Sequence, residues 1–219
     1  NSFVKRFIYA SSSSVYGIKK EKDVNETMSL EPLTDYSKFK ANCEKILLNH
    51  LTDNFTPVVI RPATVCGFSP RQRLDVVVNI LTNLAYHKKE ISVLGGDQLR
   101  PNIHILDMAR AYEFLIKAPK EKVSGEIFNV GSGQTVSVNH LAELLGGETV
   151  NIPKRPGEPD CTFADITRIQ SELGWQPSVS IEAGVSAVLS NIDYWRDAPV
   201  WTPESISDAT KDWFKYLGN

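Results

Sequence analysis

The sequence predicts an α/β protein with parallel strands. Short apolar, β-branched runs alternate along the chain with longer segments whose apolar residues recur at helical spacing. The 219 residues suffice for one large domain or two small ones with a real core. Hydrophobic residues make up 42% and charged residues 23%, the balance of an ordinary globular protein. No internal repeat or low-complexity segment interrupts the alternation.

Val4 to Ala10 reads as a buried strand that runs into four serines, Ser11 to Ser14. Thr34-Asp35 offers an N-cap for a helix from Tyr36 to Leu51, with Phe39, Cys43, Ile46, Leu47 and Leu48 as its apolar side. Pro57 to Ile60 is a second strand, stopped by Pro62. Asp75 to Tyr86 reads as helix, Ile91 to Leu94 as a strand ended by Gly95-Gly96, and Ile103 to Ile105 as a brief extended piece. Asp107 then caps a helix through Leu115-Ile116.

Ile127 to Val130 is a strand entering the turn Gly131-Ser132-Gly133, and a helix follows from Val138 to Leu145. Val150 to Ile152 comes next, and then a proline-rich loop from Pro153 to Pro159. Helices are expected near Ile166–Leu173, Ile181–Trp195 and Pro203–Leu217, the last rich in aromatic residues that suit a packed cap.

The formal net charge of −2 carries no footprint of a nucleic-acid binder. No apolar run reaches the ~18–20 residues of a membrane span, and the chain opens on a strand-like run rather than a signal peptide. Cys43, Cys66 and Cys161 have neither the spacing of a metal site nor the even number of a disulfide framework. Isolated thiols, no metal and a reducing cytoplasm are therefore expected. The triplets Asn25-Glu26-Thr27 and Asn54-Phe55-Thr56 are read as chance matches to a glycosylation signal.

Tyr36 and Lys40 stand at i and i+4 on one helix, where side chains are neighbours. A free phenol titrates near ~10 and is a poor base at neutral pH. A fixed ammonium beside a phenol favours the phenolate. Alone, this spacing equally describes a surface aromatic beside a solvated lysine. The serine run lies one loop before it, 24 positions from Ser12 to Tyr36. A hydroxyl there can hydrogen-bond the oxygen whose proton a tyrosine handles, although four serines also make a polar turn.

Ala10-Ser11-Ser12-Ser13-Ser14-Val15-Tyr16-Gly17 followed by Tyr36-Ser37-Lys38-Phe39-Lys40 resembles the active-site pair of the extended short-chain dehydrogenase/reductase family. Further stretches fit in order: Ile60 to Gly67, Gly96 to Asp107, Phe128 to Gly131, Arg155 to Pro159, and Leu173 to Pro177. The resemblance, which runs to about Gly184, is to the NAD-dependent nucleotide-sugar epimerases and dehydratases, of the UDP-glucose 4-epimerase type. It implies the C-terminal part of a doubly wound, Rossmann-like parallel sheet plus a smaller α/β substrate-binding domain. Residues 1–67 would complete the NAD-binding domain. Residues 68–200 would mainly bind the sugar nucleotide, some segments returning to the sheet, and 201–219 would form a C-terminal helix.

By the same resemblance Tyr36 is the acid/base, Lys40 its phenolate-stabilising and ribose-holding partner, and Ser12 the hydroxyl that aids proton transfer. NAD would be contacted by Tyr36, Lys40, Ser11, Pro62 and Ala63. A nucleoside-diphosphate sugar would be contacted by Ser13, Thr64, Arg100 and Arg155. The two arginines suit phosphate oxygens, to which they offer forked donors.

Three departures qualify the match. Family members open with a glycine-rich turn whose helix N-terminus carries the cofactor pyrophosphate. None follows the first strand here, so a fragment is expected, lacking on the order of 100 residues and inactive alone. Sugar 4,6-dehydratases carry an Asp-Glu pair where this chain has Ser13 and Ser14, so elimination would lack its acid and base. Thr64, Cys66 and Phe68 replace a common asparagine, tyrosine and proline. The expected reaction is epimerisation at C4 of a UDP-hexose through a transient keto-sugar, in a homodimer paired through the helix at Tyr36. The alternatives are another nucleotide-sugar reaction on the same fold (reductase, decarboxylase or dehydratase) or a non-catalytic relative.

Overall fold

The computed structural model describes residues 3–19, 21, 23–70, 76–153, 164–198 and 208. Strand β1 (Arg6–Ala10) leads through a single 3-10 turn (Ser13–Tyr16) and a loop to helix α1 (Asp35–Leu48). Strand β2 (Thr56–Pro62) then returns beside β1 in parallel, Ala10 opposite Ile60. This β-α-β unit is the frame of the site, because a parallel pair needs a crossover and α1 supplies it. Six of the seven β2 residues are buried, as a central strand covered on both faces requires.

A long excursion follows before the chain rejoins that sheet. It comprises β3 (Thr64–Cys66), α2 (Val77–Lys88), β4 (Glu90–Leu94), β5 (Leu99–His104), α3 (Ile105–Lys117) and the short α4 (Lys120–Val123). Strand β6 (Ile127–Val130) then pairs in parallel with β2, giving the order β1-β2-β6. Strand β7 (Thr135–Ser137) lies antiparallel to β5, which is parallel to β3. After α5 (Val138–Leu145), β8 (Glu148–Ile152) pairs in parallel with β4. Helices α6 (Thr167–Leu173) and α7 (Ile181–Ser190) follow.

Two main cores form. Val58, Ile60, Phe128 and Val130 of the first sheet pack with Met108 and Leu115 of α3, Ile169 of α6 and Trp175. Val78 and Leu81 of α2 meet Ile91, Val93, Leu141 and Val185 in the second. A third, small cluster of Val15, Tyr16, Val24 and Ala41 sits under the serine turn.

Phe39 and Ile46, on the apolar side of α1, face outward, 68% and 60% exposed, while Ser37, Ala41 and Glu44 are buried. Small residues let α1 approach the sheet closely, and the buried carboxylate has an arginine partner. Two readings from the sequence are corrected. Asp107 is not the cap of α3. His104 is, its Nδ1 accepting from Leu106 N at 3.3 Å, and Asp107 lies one turn in. Asp107 instead holds a distant loop through Ser178 N (2.9 Å), Ser178 Oγ (2.8 Å) and Val179 N (2.9 Å). The helix expected over 181–195 stops at Ser190, and a 3-10 turn (Ile192–Trp195) continues it. The helix expected near 203–217 falls almost wholly outside the described residues.

No helix among the described residues is long and apolar enough to cross a membrane. Cys66 is buried and Cys43 half-buried, both free thiols, and Cys161 lies outside the described residues.

Candidate active site

The parallel strands β1 and β2 end side by side, and the backbone beyond them opens a cleft of about 470 Å³. Clefts at the carboxyl ends of parallel strands are where α/β folds bind ligands, since the loops there diverge. Ser11, Ser12, Ser13 and Ser14 line it together with Pro62, Ala63, Thr64 and Tyr36. Cys66, Gly67, Ser69, Val76, Asn79 and Ile105 complete the lining.

Tyr36 is placed by the N-terminus of α1. Thr34 Oγ1 accepts from Ser37 N at 3.2 Å while Ser37 Oγ accepts from Thr34 N at 3.1 Å, a reciprocal cap that fixes where the helix starts. Tyr36 then sits in the first turn with its side facing the cleft, 55% exposed. Lys40, one turn on, has its Nζ 5.6 Å from the Tyr36 ring centroid and 5.1 Å from that of Tyr9. The same Nζ donates to Ala10 O at 2.7 Å, which ties α1 to the end of β1 just before the serines.

Ser12 caps the 3-10 turn. Its Oγ accepts from Ser14 N at 3.2 Å and from Ser14 Oγ at 2.9 Å. With its lone pairs so engaged, the Ser12 hydroxyl has its own proton to offer, and a ligand oxygen in the cleft is the natural acceptor. The Ser11 hydroxyl is directed elsewhere, donating to Glu44 Oε1.

Behind the cleft lies a buried polar network that motif reading did not anticipate. Glu44 is 2% and Arg61 3% exposed. Arg61 Nε and a terminal nitrogen grip both Glu44 oxygens, at 3.1 and 2.7 Å. The other terminal nitrogen donates to Tyr16 Oη at 2.9 Å, and Tyr16 donates on to Asn129 Oδ1 at 2.7 Å. Burial pushes the Tyr16 phenol up, against the pull of Arg61, so this hydroxyl remains a proton donor. The available signal for Glu44 was its spacing from Ser37 and Ala41, seven and three residues before it on one helix face.

The structure thus brings Ser11, Ser12, Ser13, Tyr36, Pro62, Ala63 and Thr64 to one cleft, with Lys40 behind Tyr36. Arg100 is not among the residues lining it. It lies on β5, with a guanidinium nitrogen 2.9 Å from Leu99 O. Arg155 falls outside the described residues. Among the described residues no cluster of His, Cys, Asp and Glu is disposed to hold a metal. Ser11, Pro62 and Ala63 are small and line the same cleft as Tyr36, which leaves room there for a flat ring such as a nicotinamide.

A cleft at the ends of parallel strands, lined by a tyrosine with a lysine one helical turn on and by a serine, defines a short-chain dehydrogenase/reductase type of site. Residues 2–131 match the NAD dependent epimerase/dehydratase family, and the chain belongs to that family. It is 32% identical over 191 residues to the uncharacterized UDP-glucose epimerase YtcB of Bacillus subtilis, covering 84% of this chain and 59% of that protein. It is 26% identical over 205 residues to the dTDP-glucose 4,6-dehydratase of Streptomyces niveus, covering 90% of this chain and 59% of that protein. Among solved structures, the UDP-glucuronic acid 4-epimerase of Bacillus cereus, in complex with UDP-glucuronic acid and NAD, superposes with a TM-score of 0.76. That match is 28% identical and covers 89% of this chain and 62% of the other. The chain therefore spans about 59% of the length of these two curated relatives.

Proposed function

We propose that the protein epimerises a nucleoside-diphosphate sugar, at C4 of a UDP-hexose, with NAD as a recycled cofactor. The observation that carries this reading is the make-up of the cleft: Tyr36 and Ser12 face it, and no carboxylate lines it among the described residues. Removing water from a sugar needs an acid and a base at neighbouring carbons. Oxidation and re-reduction at one carbon needs one group that takes and returns a proton, beside a hydride acceptor.

In this reading Tyr36 takes the proton of the sugar hydroxyl and later returns it. Ser12 donates a hydrogen bond to the same oxygen, and Lys40 supplies positive charge beside the phenol. NAD, when bound, accepts the hydride and gives it back. Tyr36, Lys40, Ser11, Pro62 and Ala63 would hold its nicotinamide and ribose. Ser13 and Thr64 would face the sugar, and Arg100 and Arg155 the diphosphate. Holding the reactants in register is the chain's main catalytic contribution.

Residues 1–67 would complete the cofactor-binding domain and 68–200 would mainly form the substrate domain. The pairing of β6 with β2 supports a return of the chain to the first sheet. The chain spans about 59% of the length of two curated relatives, so the turnover is proposed for the protein in its full length. The exposed Phe39 and Ile46 on α1 support a homodimer formed on that face, and a cytoplasmic location accords with the free thiols.

Product analysis decides the reaction. Incubated with a UDP-hexose and NAD⁺, the full-length protein is expected to yield the C4 epimer with no net NADH. A dehydrated keto product, or net consumption of reduced cofactor, would replace this reading with another reaction on the same fold, as in the dehydratase relative.

A further inference from the structure

The turn that carries Ser12 is held at both ends by one ion pair, at Ser11 by Glu44 and at Tyr16 by Arg61. Ser11, the residue before it, gives its hydroxyl to Glu44, and Glu44 is gripped at both oxygens by Arg61. Tyr16, the last residue of the turn, receives a hydrogen bond from Arg61 at 2.9 Å, and the guanidinium carbon lies 4.8 Å from its ring centroid. Between these anchors lie Ser12 and Ser13, both facing the cleft.

Arg61 itself cannot drift. It comes from the central strand of the first sheet, and its neighbours Ile60 and Pro62 lie opposite β6 residues Phe128 and Val130. Glu44 is equally fixed, on the inner face of α1 two turns beyond Tyr36. The guanidinium joins the helix bearing Tyr36 and Lys40, through Glu44, to the strand beneath them and to Tyr16 at the far end of the serine turn.

We propose that Arg61 is a positioning residue that clamps the Ser11–Tyr16 turn at both ends and so sets the Ser12 hydroxyl against Tyr36. A planar, forked cation is needed for this. Three nitrogens serve two side chains in divergent directions, and one of them also reaches Glu26 O at 3.5 Å, which an ammonium at a single point does not reproduce. The functional half of the proposal rests on the epimerase reading above; the structural half does not.

Two measurements test it on Arg61→Lys, with Tyr16→Phe as a milder variant that removes only one hydroxyl from the clamp. The first is amide hydrogen exchange. Val15 N bonds to Ser12 O and Gly17 N to Ser14 O within the turn. Both amides are expected to exchange at least ~10-fold faster in Arg61→Lys, while the β2 and β6 amides keep their protection. The second is turnover in the full-length protein. Arg61→Lys should lower kcat by ~10–100-fold with KM within about twofold, the size of loss a misplacement near 1 Å produces. In a Ser12→Ala background the same change should alter kcat by less than about twofold, because the clamp acts through Ser12.

Unchanged exchange in both variants would overturn the clamp. So would an equal loss of kcat with and without the Ser12 hydroxyl, which is the pattern of a general structural effect. A wild-type protein that does not epimerise would end the reading under "Proposed function", and the exchange data would still decide the clamp.

Discussion

Lys40 Nζ donates to the carbonyl oxygen of Ala10 at 2.7 Å. The ammonium is therefore held at the end of β1, and from there it lies 5.6 Å from the Tyr36 ring centroid. A lysine free to swing on its stem would spread its charge over a large volume. This one is anchored beside the Tyr36 ring.

Replacing Lys40 should consequently damage catalysis much more than folding. Lys40→Met removes one hydrogen bond, worth about 1 kcal/mol net, and the fixed charge beside Tyr36. Turnover is expected to fall at least ~100-fold, the usual scale for disabling an acid/base group, with only a small drop in Tm. Steady-state kinetics beside thermal unfolding checks this, and turnover within about threefold of wild type would remove Lys40 from the site.

Asp107 should make stability depend on pH on the acid side. Burial opposes its ionisation, but hydrogen bonds from Val179, Ser178 and Arg110 outweigh that and hold its carboxyl below the usual aspartate range. A carboxyl depressed in the fold stabilises above its unfolded value, near ~3.9, and loses that contribution as pH falls through the folded value. Asp107→Asn is expected to cost roughly 2–4 kcal/mol at pH 7, from charge-assisted hydrogen bonds made neutral. The gap between wild type and variant in urea unfolding should narrow steadily below about pH 4. A gap that stays constant into acid would show that Asp107 is not ionised by these partners.

Cys66 lines the cleft but should be inert. Burial pushes its thiol up to about 12, and Sγ lies 3.5 Å from Ile103 O. Reactivity belongs to the thiolate, so iodoacetamide at pH 8 is expected to leave Cys66 unmodified in the native protein and to label it after denaturation. Peptide mass spectrometry distinguishes the two; rapid native labelling would mean that solvent reaches this wall of the cleft.

Much of this architecture is legible in the sequence where local chemistry sets it. Helix α5 has the expected bounds, Val138 to Leu145, because Ser137 caps it and Gly146 ends it. Tyr36, Lys40 and the serine run could be picked out from spacing and from the resemblance of the stretches around them. What escaped depends on partners far along the chain. Asp107 looks like a helix cap until Ser178, 71 positions away, is seen to donate to it. Glu44 and Arg61 look like surface charges until α1 is laid on β2 with Ser37, Ala41 and Glu44 inward. Strands β3 and β7, of three residues each, exist only through their pairing with β5 and have no pattern of their own to read.

In the proposed reaction the cleft beside Tyr36 carries out proton transfer on a sugar hydroxyl. Tyr36→Phe tests it most directly, because the ring is 55% exposed and losing one oxygen should leave the fold intact. Conversion of a UDP-hexose to its C4 epimer by the full-length protein should fall by at least ~100–10,000-fold, with binding of the nucleotide sugar nearly unchanged. Near-wild-type conversion by the phenylalanine variant would contradict the account and send the search for the acid/base elsewhere.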